Sequence, residues 1–178
     1  MSRTRGTGNN VLDTGTEPQS TQAAEAAGNT AGDGAAAPER GRRHVHLAHV
    51  RFADLDPLNH VNNVRMLTYL EDARIAFLRW DAPGGDGDGD GPLGAMVVAR
   101  HEVDYVAPLL LRRDPVRVET RVTEVRGASF RLAYEILDDE RVYLRAESVI
   151  VGYDLERQRS RRLTPAELEY LEGYRDPA

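Results

Sequence analysis

The sequence predicts an α+β fold in which one long helix packs against an antiparallel sheet, and three observations carry that prediction. Over residues 62–80, Leu67, Leu70, Ala73 or Arg74, and Phe77 recur every three or four positions with no glycine or proline between them. This is the spacing of a helix of about five turns. Further along come four candidate strands, two of which, over residues 116–123 and 130–136, alternate apolar and polar residues with the period of two that a half-buried strand requires. They follow one another through short turns, which join antiparallel neighbours, whereas parallel strands need a long crossover.

In chain order, residues 1–43 differ from the rest. Up to Gly41, Val11 and Leu12 are the only large apolar residues besides Met1. Such a segment cannot bury enough apolar surface to offset the entropy of ordering it, so a disordered tail is expected. A transit peptide is poor in acids, but here Asp13, Glu17, Glu25, Asp33 and Glu39 balance the arginines. The folded domain is expected over residues 44–174. It opens with a short strand in which His46, Ala48, Val50 and Phe52 alternate with Leu47, His49 and Arg51.

The long helix follows, and then residues 81–94, with four aspartates and six glycines, form a flexible connector. Their alternating carboxylates resemble a calcium loop. Counted from Asp86, however, the closing twelfth position is Val97 rather than the acid that a calcium loop needs, so no metal site is assigned. The four strands are expected over residues 95–106, 116–123, 130–136 and 141–153. A short helix ends the domain, with Thr164 as its N-cap, Pro165 in the first position, Glu167 closing a capping box and Gly173 as the stop. One sheet on one helix leaves a face uncovered, so a dimer is expected.

Composition narrows the function. All 23 basic residues are arginine, against 29 acids, for a net charge of −6. A general nucleic-acid binder is thereby excluded, because phosphate affinity rests on surplus positive charge. No stretch approaches the roughly 18 apolar residues of a membrane span, and no secretory signal is visible, so a cytoplasmic protein with no membrane partner is expected. With no cysteine there is no disulfide, thiolate nucleophile or cysteine-based zinc site.

The densest polar cluster runs from Arg51 through Asp54, Asp56, Asn59, His60 and Asn62 to Asn63, between the first strand and the long helix. A loop placed there sets side chains beside a helix N-terminus, whose unpaired N–H groups and positive dipole end favour developing negative charge. A carboxylate at Asp56 with N–H donors near Asn62 or Asn63 is the minimal equipment for acyl transfer. The same residues also suit structural work: Asp54 and Asp56 as turn formers around Pro57, Asn62 or Asn63 as a helix cap, His60 as a packed loop residue. Spacing alone leaves both readings open.

A resemblance adds to this. Arg51-Phe52-x-Asp54-x-Asp56, then His60-Val61-Asn62-Asn63, then Tyr69-Leu70-Glu71-x-Ala73-Arg74, resembles the hotdog-fold acyl-CoA thioesterases of the 4-hydroxybenzoyl-CoA thioesterase type. Tyr105-Val106-x-Pro108-Leu109, Ser129-Phe130 and Val151-x-Tyr153-Asp154 extend the likeness over about residues 46–165. It implies a hotdog fold, a long central helix wrapped by a curved antiparallel sheet, assembled as a homodimer or homotetramer with acyl-CoA sites at the dimer interface and no cofactor.

It also implies that Asp56 is the catalytic carboxylate, as nucleophile or general base, that the Asn63 backbone N–H is the oxyanion donor, and that His60 is a third catalytic residue beside them. Substrate contacts are expected at Asn62, at Met66 as an adaptable apolar wall, at Glu71 and at Ser129. Arg100, Arg126 and Arg131 are candidates for the CoA phosphates. The chain departs from the pattern at Asn59, where many relatives have glycine, and at Met66, where an aromatic is common; both departures are expected to shape the acyl pocket. The alternatives are a non-catalytic acyl-binding module on the same fold, or a thioesterase acting on acyl-carrier protein.

Overall fold

The computed structural model describes residues 42–82 and 93–175. The expected tail up to residue 41 and most of the glycine–aspartate connector lie outside the described residues. The elements are β1 (His44–Ala48), a 3-10 turn (Phe52–Asp54), α1 (Asn63–Ile75) continued by a π-helical turn (Ala76–Trp80), β2 (Met96–Tyr105), β3 (Val116–Val125), β4 (Ser129–Leu137), β5 (Val142–Asp154), β6 (Arg159–Ser160) and α2 (Pro165–Glu172). The sheet runs β1-β3-β4-β5-β2 with every pair antiparallel, and the two-residue β6 adds to the end of β5. It curls around α1 as a half-barrel, the hotdog architecture.

The alternation seen in the sequence sets the two faces of the sheet. Val116, Val118 and Val122 of β3, Phe130, Leu132, Tyr134 and Ile136 of β4, and Leu144 and Ile150 of β5 are buried in one core with Tyr69, Leu70, Ala73 and Phe77 of the helix. The opposite face carries ion pairs. Arg43 reaches Glu119 at 2.8 Å and Glu135 at 3.3 Å, Arg145 reaches Glu135 at 3.0 Å, and Arg131 bridges Glu124 and Glu147. Cross-strand partners of opposite charge support the sheet while that face stays wet.

Three local outcomes differ from the sequence expectation. The helix expected to continue to residue 80 is α-helical only to Ile75. Beyond it the Asp81 N–H donates to Ala76 O at 2.9 Å, five residues back, the bond of a π turn. Apolar spacings of three and four do not reveal that one extra residue. Phe52 leaves the strand as the first residue of the 3-10 turn and stands exposed, because that turn folds Asp54 back onto the Arg51 N–H. β2 is exposed along most of both faces, as the edge strand of the sheet.

The last helix forms as expected. Glu167 N–H donates to Thr164 Oγ1 at 3.3 Å, and Thr164 N–H donates to Glu167 Oε2 at 2.7 Å. Glu167 is itself buried and accepts from Arg161 and from Gly94 N–H, so α2 is pinned to the start of β2.

Candidate active site

The polar loop 51–63 is built around two aspartates with different work. Asp54 is buried and accepts from Arg51 N–H and Arg51 Nη2, both at 2.9 Å, and from the Tyr69 hydroxyl at 2.8 Å. Burial alone would raise its pKa. The Arg51 side chain and backbone and the Tyr69 hydroxyl outweigh burial and hold it at about 2. Asp54 O also accepts the Asn62 N–H at 2.9 Å. Asp54 is thus the anchor that ties the loop to the helix start.

Asp56 sits at the neck of the tight loop that follows. Leu55 bridges Val61, and Asp56 N–H donates to His60 O at 2.8 Å. Its Oδ1 accepts the N–H groups of Leu58 at 2.8 Å and His60 at 3.1 Å. Oδ2 has no partner among the described residues, and the side chain is partly exposed. The carboxylate is therefore held by one oxygen and offers the other. The loop closes through Asn59, whose φ of 61° is the left-handed conformation that glycine adopts without cost and asparagine tolerates best among the rest. Asn59 is exposed. Asparagine at this position is therefore a matter of backbone shape at the loop.

The helix start has a simple hydrogen-bond account. Val64 N–H donates to Asn62 Oδ1 at 2.9 Å, and Arg65 and Met66 N–H donate to Asn62 O at 2.8 and 3.1 Å. The Asn63 N–H, also in the first turn, has no partner among the described residues. An uncommitted N–H at the positive end of a helix suits an oxyanion. The Tyr105 hydroxyl donates to Asn63 O at 3.3 Å, holding the end of β2 against this turn.

The remaining candidates fall into distinct places. His60 meets Asp56 through its backbone N–H and bridges Leu110. Asn62 is the N-cap. Met66 is buried in the core. Glu71 is exposed, two turns along α1, with its Oε1 3.6 Å from Arg74 Nη2. Ser129 lies at the first residue of β4, at the opposite end of the sheet from the Asp56 loop, and is not brought to the other candidates within the chain. Arg100 pairs with Glu102, Arg126 with Glu124, and Arg131 with Glu124 and Glu147.

Sequence reasoning missed Tyr69 and Tyr105 as supports of the loop and the helix start. A tyrosine on a helix face shared with Met66 and Ala73, seven residues after the N-cap, was the available signal for the first. Nothing local marks the second.

A cavity of about 520 Å³ opens between α1 and the start of β2, with Glu71, Arg74, Ile75, Leu78, Met96 and Val98 in its wall. Behind it a polar row crosses the inner face of the sheet. His44 pairs with Thr120, Thr120 with Tyr134, and, one step along, Ser148 with His101. His101 Nδ1 and Ser148 Oγ are 2.6 Å apart. Burial and the nearby Arg74 charge lower the His101 pKa. His44 Nε2 meets Asp81 Oδ2 at 2.7 Å. Among the described residues no three histidine, aspartate or glutamate side chains converge on a common metal position, and no helix is long and apolar enough to cross a membrane.

Among solved structures, a thioesterase from Thermus thermophilus, complexed with coenzyme A and Zn, is 33% identical over 73% of this chain and 92% of its own, with a TM-score of 0.61. YbaW, a probable thioesterase from Escherichia coli, is 28% identical over 74% of this chain and 98% of its own, with a TM-score of 0.59. A 1,4-dihydroxy-2-naphthoyl-CoA thioesterase from Synechocystis shares the fold at 19% identity and a TM-score of 0.62, covering 73% of this chain and 96% of its own. No curated protein matches the sequence. The model of the thioesterase-like superfamily matches residues 50–171, a span that takes in the Asp56 loop, α1 and the whole sheet apart from β1. The chain belongs to the thioesterase-like superfamily.

Proposed function

We propose that the protein hydrolyses acyl-CoA thioesters, with Asp56 as the catalytic carboxylate and the Asn63 N–H as the oxyanion donor. Thioester hydrolysis is the chemistry of its family, and the relative bound to coenzyme A supports a CoA carrier. The observation that carries the residue assignment is the presence of two uncommitted groups on the one segment that leads into α1. Asp56 offers Oδ2 while Oδ1 is held, and Asn63 offers the N–H left over by the cap.

As a general base, Asp56 Oδ2 takes a proton from water as the water oxygen attacks the thioester carbonyl. The negative oxygen accepts from Asn63 N–H, the C–S bond breaks, and the thiolate of CoA leaves and is protonated. As a nucleophile, Asp56 Oδ2 attacks the carbonyl itself, CoA thiolate leaves, and water cleaves the resulting anhydride. In either course His60 acts through its backbone N–H, which aims the carboxylate.

A homodimer or homotetramer is part of this reading. β2 is an edge strand with Val97, Val98 and Tyr105 exposed, as is Val106 just past its end, and an unpaired apolar edge is a template for a second strand. Phe52, Leu58, Val64, Leu110 and Leu111 are also exposed in the segments that surround or contact the Asp56 loop.

The test is Asp56→Asn, assayed for thiol release on a panel of acyl-CoAs with the oligomer followed by size-exclusion chromatography. Loss of turnover in an intact oligomer is expected, and near-wild-type turnover would overturn the assignment. Binding without turnover by the wild-type protein would favour the non-catalytic module, and faster turnover on acyl-carrier protein would change the carrier.

A further inference from the structure

Arg74 is the unexplained group of this fold. Its side chain is 12% exposed, yet its one ion-pair partner among the described residues is Glu71, at 3.6 Å and itself 58% exposed. Such a loose and solvent-screened pair contributes little. The other terminal nitrogen, Nη1, is buried with no hydrogen-bond partner among the described residues. The nearest polar group beneath it is the buried Tyr134 hydroxyl, whose pKa burial raises and the Arg74 guanidinium partly offsets, but this contact leaves Nη1 without a hydrogen bond of good geometry. A guanidinium has five N–H donors, and buried cations are ordinarily paired or hydrogen-bonded throughout. This one is left short while forming part of a cavity wall.

The position of that cavity links it to the proposed chemistry. Asn63, Leu67, Glu71, Arg74 and Leu78 follow one another at spacings of four, four, three and four, so they share one face of the helix. Met96, Val98, His101, Val103 and Tyr105 of β2 pair with residues of β5 that face the helix, and therefore line the same side. The Tyr105 hydroxyl touches Asn63 at one end of this seam, and Val98 and Met96 line the cavity with Arg74 at the other. Arg74 lies eleven residues past Asn63, and helical side chains lean back toward the N-terminus, so its guanidinium stands about 12 Å along the helix from the Asn63 N–H. Ile75, Leu78, Met96 and Val98 supply apolar wall for methylene groups. Among the described lining residues the charged groups are Arg74, Arg79 and a single acid, Glu71.

We propose that Arg74 is a specificity-determining residue that binds a carboxylate at the far end of the acyl group, so that the preferred substrates are CoA monothioesters of dicarboxylic acids. The inference rests on the hydrolase reading above. The thioester lies at Asp56 and Asn63, the methylene chain runs along the α1–β2 seam, and the terminal carboxylate accepts from the Arg74 guanidinium as the exposed Glu71 swings into solvent. Planar two-point recognition of a carboxylate is what arginine does best.

The test measures kcat/KM for straight-chain acyl-CoAs and for their ω-carboxyl counterparts of equal length, in wild type, Arg74→Met and Arg74→Lys. At the best length, wild type is expected to prefer the ω-carboxyl substrate by about 10- to 100-fold, the range of a charge-assisted hydrogen bond. Arg74→Met is expected to bring the ratio toward unity, and Arg74→Lys to keep part of it. Equal rates on both series in wild type, or an equal fall on both series in Arg74→Met, would overturn the proposal, the latter marking Arg74 as structural. If Arg74→Met does not fold, the ratio in Arg74→Lys decides. Thermal shift with the ω-carboxyl thioesters keeps the two readings apart. If no thioester is cleaved, the hydrolase reading fails, and a shift that depends on Arg74 still upholds the subsite, while its absence removes it.

Discussion

The Tyr69 hydroxyl donates to Asp54 Oδ2 at 2.8 Å, joining the second turn of α1 to the 3-10 turn that precedes the active-site loop. The buried Asp54 titrates at about 2 rather than at the ordinary 3.8. Because the folded value is the lower one, the anchor stabilises the protein above about pH 4, by about 2 kcal/mol, and that contribution is lost as the pH falls toward 2. Tyr69→Phe is expected to cost about 1–3 kcal/mol in urea unfolding at neutral pH and to move the acid-unfolding midpoint upward. An unchanged acid midpoint would show that Arg51 alone sets the Asp54 ionisation.

Asn59 gives a sharper test of the loop, because its requirement is conformational. With φ at 61°, Asn59→Gly is expected to be neutral or stabilising, and Asn59→Val to cost about 1–2 kcal/mol. The valine variant should also lose kcat, since a loop that cannot make this turn cannot present Asp56. Circular dichroism melts and thiol-release kinetics on the same two variants check both statements.

Asn62→Ala removes the oxygen that accepts the Val64 N–H. Loss of an N-cap costs about 1 kcal/mol, and the first helical turn frays with it. With the Asn63 N–H as the proposed oxyanion donor, kcat is expected to fall more than KM rises. A pure KM effect would place Asn62 in substrate binding instead.

Glu167 joins α2 to the entrance of the cavity. It accepts from Gly94 N–H at 3.1 Å, Arg161 Nη2 at 2.7 Å and Thr164 N–H at 2.7 Å. Burial would raise its pKa, but Arg161 and the Thr164 N–H outweigh burial, and the net direction is downward. Its stabilisation is therefore present above the ordinary glutamate range and is lost as the medium turns acidic. Glu167→Gln is expected to cost about 2 kcal/mol and to raise KM, because Gly94 belongs to the cavity wall. Chemical denaturation and substrate titration read the two effects separately.

Much of this was legible in the chain itself, where the signal is local. The alternation of Val116, Val118 and Val122 against Arg117, Glu119 and Arg121 marked a strand and both its faces. Thr164, Pro165, Glu167 and Gly173 marked a helix from cap to stop. The loop chemistry was half legible. Asp56, Asn62 and Asn63 stood out together in one segment, but which asparagine caps the helix could be told only when each first-turn N–H had a partner assigned. Asn59 could have been identified as left-handed, since asparagine is among the few residues that tolerate that conformation. The π turn after Ile75, the edge position of β2 and the pairing of His101 with Ser148 depend on contacts between distant segments, which no periodicity along one segment records.

The polar row under α1 has a consequence for engineering. Thr120 Oγ1 is buried without a hydrogen-bond partner among the described residues. Thr120→Val would keep the branched shape while deleting an undersatisfied hydroxyl, and is expected to raise stability by about 1 kcal/mol. A core that forgoes so accessible a gain is poised for improvement without any redesign of its backbone, and variants begun at that row would have a margin to tolerate destabilising changes in the cavity beside α1.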